Sequence, residues 1–119
     1  MPAHKEYTFI NLQNVEAISR GDQQQVLKYL KQFNALIPER LYYLKKALLI
    51  QDRKEIRQIL HKMSPQLQFF GVPNITTPIR RMEFEYDTLP LVELEAIVED
   101  IIVKLEGAIK EVSNQINQF

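Results

Sequence analysis

From Val26 onward the apolar side chains fall at Val26, Leu30, Phe33, Ile37, Leu41, Leu44 and Leu48, in alternating steps of three and four. At about 100° per residue, that spacing draws one continuous apolar stripe along a helix, the pattern of a face that packs on neighbours. Asp22, with Gln25 three residues on, marks the expected start as an N-cap with a reciprocal partner. Pro38 sits inside the stripe and has no N–H for the carbonyl of Asn34. The periodicity continues on both sides, so a kink or a locally opened turn is expected there rather than an end.

The segments before and after read the same way. Val15 to Ser19 predicts a short helix that stops ahead of Arg20-Gly21. Gln51-Asp52 announces a third helix, with Asp52 as N-cap, Glu55 at the capping-box position and a core face of Ile56, Ile59, Leu60, Met63, Leu67 and Phe70. Gly71, Val72 and Pro73 break the chain, and Ile75, Ile79 and Met82 predict a shorter helix reaching Glu83 or a little beyond. After the turn Asp87-Thr88-Leu89-Pro90, a last helix runs from about Leu91 to the C-terminus on Leu91, Leu94, Val98, Ile101, Leu105, Ala108, Val112 and Ile116. Four substantial helices joined by short turns imply an all-α antiparallel bundle, with the first short helix as a lid.

Composition narrows the chemistry. The 119 residues fit one domain, with its core over about residues 10–117, and leave no room for a separate nucleotide-binding unit. Fifteen basic and fifteen acidic residues cancel, so no global field favours nucleic acid or an anionic membrane. The lack of cysteine excludes disulfides, thiol catalysis and thiolate metal sites. With no apolar leader and no apolar run long enough to span a bilayer, a cytoplasmic location is expected. Gly21, Gly71 and Gly107 are isolated, so there is no phosphate-cradling loop and no kinase signature, which argues against ATP binding. His4 and His61 are too far apart in sequence to suggest a paired metal site, and Glu93, Glu95, Glu99 and Asp100 read as a solvated face.

His61 is the candidate working group. On the third helix it lies roughly 140–150° from the centre of the core stripe and so faces outward. Ser64, Pro65 and Gln68 flank it on the same face. Pro65 lacks the N–H that would bond the carbonyl of His61, and a proline there costs on the order of 3 kcal/mol in a plain helix, so a local distortion is expected at the histidine. Lys54, Arg57 and Lys62, with Arg80 and Arg81 from the next helix, supply positive charge to the region, which would favour a neutral, nucleophilic imidazole and steady phosphate oxygens. The same charges also fit an ordinary solvated helix face.

Taken together, these residues resemble the histidine-containing phosphotransfer (HPt) domain of bacterial multistep phosphorelays. The features that carry the resemblance are Gly21-Asp22 opening a long helix, the segment Phe33 to Pro38, Gln51-Asp52, the run Leu60-His61-Lys62-Met63-Ser64-Pro65, Gly71 ten residues past the histidine, and Met82-Glu83. They span roughly Ile10 to Ile116. The chain departs from the family where a lysine and a glycine usually follow the histidine by three and four residues; here stand Ser64 and Pro65. The small side chains keep access to the ring, while the fixed charge is gone, with Lys62 or Arg57 as nearby substitutes.

The resemblance implies that His61 is a phosphoacceptor, supported by Arg57, Lys62, Ser64, Pro65 and Gln68. It would take a phosphoryl group from a receiver-domain phosphoaspartate and pass it to a response-regulator aspartate. The chain would then be a carrier rather than an enzyme, monomeric, with no cofactor of its own and magnesium supplied by the receiver. Its partners would be receiver domains and a hybrid sensor kinase. The alternative is a non-catalytic adaptor that keeps the fold and binds a signalling partner through the exposed face of the second and third helices.

Overall fold

A computed structural model describes residues 7–119, all of whose regular elements are helices. They are α1 (Gln13–Ser19), α2 (Gln23–Leu49), α3 (Arg53–Phe69), α4 (Thr76–Glu85) and α5 (Leu91–Ile116). No helix among the described residues is long and apolar enough to cross a membrane. Pro2 and His4 lie outside the described residues.

The caps explain where the helices begin and end. Asp22 accepts from the backbone N–H groups of Gln24 and Gln25, and Asp52 from that of Glu55 at 3.1 Å, which satisfies donors that a helix start leaves open. The reciprocal half of each expected capping box is missing for a concrete reason. The Asp52 N–H is already bonded to the carbonyl of Ala47, and the Asp22 N–H to that of Ser19, both at 2.9 Å. At the end of α3, Gly71 N–H bonds Gln68 and Val72 N–H bonds Leu67, the paired closure of a left-handed helix stop, with Gly71 at φ +61°. Gln51 closes α2 in the same conformation at φ +58°.

The α2 seam is buried from Val26 to Leu44 as the spacing predicts, but it ends on Ala47 instead of Leu48, which is only half-buried. α1 begins two residues before the expected Val15, because the Asn11 side chain accepts from the Gln13 N–H at 2.9 Å and sets the first turn early. Neither Pro38 nor Pro65 ends its helix; α2 and α3 run through them as single elements. Pro65 is exposed, so water can serve the carbonyl it leaves without a partner.

α2 packs against both α3 and α5, α3 against α4, and α1 against α2. One cluster of buried side chains joins them, with Phe33 and Phe70 at 4.4 Å between ring centroids in its middle. The segment from Tyr7 to Leu12 ahead of α1 is held against the bundle as well, with Ile10 and Leu12 in the core. The Glu111 carboxylate on α5 accepts from the backbone N–H groups of Thr8, Phe9 and Ile10 at 2.8–3.1 Å, and the Tyr7 hydroxyl donates to Gln115. The Phe9 ring lies over Gly107, where a Cβ would stand 2.2 Å from it. Burial, then the nearby Glu16 and Glu111 carboxylates, push the Tyr7 hydroxyl above its ordinary pKa.

Candidate functional site

α3 and α4 form an antiparallel hairpin turned at Val72. Because both helices rise about 1.5 Å per residue, positions equally far from that turn stand opposite each other. One contact lies in this register, the Nδ1 of His61 meeting the Glu83 carboxylate at 2.9 Å, while the longer arginine side chains cross it to positions nearer the turn: Arg57 donates to the carbonyl of Glu83 at 3.2 Å, and Arg53 to the carbonyls of Tyr86 and Leu89. His61 and Glu83 lie eleven residues either side of Val72.

The pair defines the chemistry of the ring. The His61 side chain is 70% exposed and that of Glu83 23%, so a mostly sheltered carboxylate holds a mostly open imidazole. A carboxylate can only accept, so Nδ1 is the nitrogen that carries the proton. In the neutral ring the lone pair is then on Nε2, which has no protein partner among the described residues. This arrangement fixes the tautomer and the ring plane together, as the carboxylate does in other carboxylate–histidine pairs. Glu83→Ala is expected to release the ring into a mixture of tautomers, read from the imidazole nitrogen shifts of 15N-labelled protein. Persistence of a single Nδ1–H tautomer in that variant would assign the restraint to another group.

The other expected site residues divide into two groups. Ser64 and Gln68 do share the face of His61 and bond each other, Gln68 Nε2 to Ser64 Oγ at 3.0 Å, while Pro65 is exposed beside them. Arg57 is present, but its charge is engaged: besides the Glu83 carbonyl, its guanidinium lies over the Tyr86 ring at 5.2 Å. Lys62 stands about 100° round the helix from His61. It shares the face of Phe69, whose ring meets Tyr29 of α2 edge-on at 5.3 Å.

Of the cations expected around the imidazole, Arg57 and Arg81 are held by other groups, and neither is in contact with the ring. The charged group in contact with the ring is the Glu83 carboxylate, and Arg81 is occupied by Glu85 and Glu93. Glu93 and Asp100 take part in surface pairs, with Arg81 and Lys104 respectively.

Glu83 as the partner of His61, and the exposed Phe84 beside it, 81% accessible, were not assigned roles from the sequence. Counting equal distances from the Gly71–Pro73 break would have placed Glu83 opposite His61. No family model, no curated protein and no solved structure matches the chain.

Proposed function

We propose that this protein is a phosphoryl carrier of the HPt type, with α2 to α5 as its four-helix bundle, α1 laid on α2, and His61 as the phosphoacceptor. The observation that carries this reading is the His61–Glu83 pair. One side chain on a helix offers a nitrogen without a protein partner to solvent, with its second nitrogen held by a sheltered carboxylate. Phosphoryl transfer asks mainly for in-line positioning and for charge stabilisation, both of which a partner receiver and its magnesium can complete.

The steps balance without a further reactant. The Nε2 lone pair of His61 attacks the phosphorus of the receiver's acyl phosphate, the N–P bond forms, and the P–O bond to the aspartate breaks, releasing that carboxylate with its electron pair. No proton leaves the ring. Nδ1 keeps its hydrogen, the ring becomes cationic, and the Glu83 carboxylate faces the charge as it develops. In the return step a second receiver's aspartate carboxylate attacks the phosphorus and Nε2 leaves with the N–P electron pair. Every part of the cycle except the imidazole and its carboxylate belongs to the partner, which suits a chain that leaves the ring open to solvent.

Incubation with a radiolabelled phospho-receiver domain tests the proposal. The native chain is expected to take up label in a form that is acid-labile and base-stable, the signature of a phosphoramidate. Absence of uptake from a broad panel of receivers would leave the adaptor reading in its place.

A further inference from the structure

Resting on the carrier reading, we infer that Arg80 on α4 is the cation that holds the phosphoryl group on His61, supplying across the hairpin the charge that Ser64 does not. A phosphoryl group on Nε2 brings up to two negative charges close to the Glu83 carboxylate, and like charges at such range disfavour one another. The cationic ring offsets one of these charges, and a second cation on the same face would offset the rest. Arg57 is bonded to the Glu83 carbonyl and stacked on Tyr86, Arg53 is bonded to the carbonyls of Tyr86 and Leu89, and Arg81 is paired with Glu85 and Glu93. Lys62 projects toward the α2 side of α3, by the helical geometry described above, and Lys54 stands about 10.5 Å before His61 along α3, two turns away on the side opposite Ser64. Arg80 is exposed and makes no side-chain hydrogen bond or ion pair among the described residues.

Its position follows from the hairpin register. Arg80 and Ser64 lie eight residues either side of Val72, as His61 and Glu83 lie eleven either side. Arg80 precedes Glu83 by three residues, about 4.5 Å along the helix and some 60° round it, on the solvent side of Glu83 away from the buried Ile79 and Met82. It therefore stands level with Ser64 along the hairpin, one turn beyond the imidazole, while Ser64 itself is engaged with Gln68. A guanidinium is suited to the task because its planar fork can bind two phosphoryl oxygens at once.

Label uptake from a phospho-receiver and the half-life of the labelled chain, measured for native, Arg80→Ala, Arg80→Gln, Arg80→Lys and Lys62→Ala proteins with thermal melts alongside, test this assignment. Both neutral Arg80 variants are expected to take up label about tenfold more slowly, the worth of one charge-assisted hydrogen bond, and to lose it faster. Their melting temperatures should be unchanged, with partial rescue by lysine and no effect at Lys62. Two neutral variants are used so that a folding defect in one does not decide the matter. Native rates and half-lives in both would overturn the role of Arg80 and leave His61 as carrier, as would a loss in Lys62→Ala equal to theirs. A native chain that takes up no label would overturn the carrier reading and this inference with it.

Discussion

A His61→Gln chain is expected to fold as the native protein does and to take up no phosphoryl group above background. The substitution touches little of the fold. The His61 side chain is 70% exposed, glutamine is a good helix former, and its amide can still donate to Glu83, so the change in stability should stay within about 0.5 kcal/mol. Its chemical effect is total, because an amide nitrogen has no available lone pair for phosphorus and no other imidazole is present among the described residues. Receiver binding, measured by titration calorimetry against the same domain, should survive within a few-fold, since the ring is one contact in a larger face. Label retained by His61→Gln would move the acceptor to another side chain. A chain that binds its partner as before but never carries label, in either form, would be the adaptor.

Gly71→Ala is expected to destabilise the protein by about 2–4 kcal/mol, lowering the melting temperature by roughly 10 °C. Two costs add. Gly71 stands at φ +61°, where an L residue is strained by about 1–2 kcal/mol. Its missing side chain also makes room for the strap before α1: a Cβ there would lie 2.7 Å from the Asn11 Cβ and 2.8 Å from the Asn11 carbonyl oxygen. The strap is bound to this spot by the Asn11 N–H donating to the Phe70 carbonyl at 2.7 Å, so it cannot simply step aside. Relief would break that bond and disturb the entry to α1. A melt within about 2 °C of native would show that the strap yields freely and that this junction contributes little.

The difference between what could be read in advance and what could not has a physical origin. Helix limits set by local chemistry were legible, since Asp22 and Asp52 cap with side chains only two or three residues from their partners. The face of His61 was legible too, because α3 keeps its period through Pro65. The capping boxes were half right, since no pattern in Asp52-x-x-Glu55 reveals that the Asp52 N–H will close the previous helix. The contact with Glu83 belongs to the hairpin register of α3 and α4, which the periodicity of either helix alone does not express; it needs a count across the Gly71–Pro73 break. The partners of two of the expected cations were hidden for the same reason: Arg57 and Arg81 are near in sequence or space, yet carbonyls, an aromatic ring and carboxylates hold them. The strap at Tyr7 to Ile10 has no periodic pattern, and its anchor, Glu111, is about a hundred residues away.

Phosphorylation of the native chain, followed by identification of the phosphohistidine isomer by phosphorus NMR, tests the central claim most directly. With Nδ1–H held by Glu83, the account predicts one species, phosphorylated at Nε2 of His61. Phosphorus on Nδ1 would contradict it, because that nitrogen could be the nucleophile only if the Glu83 contact did not set the tautomer.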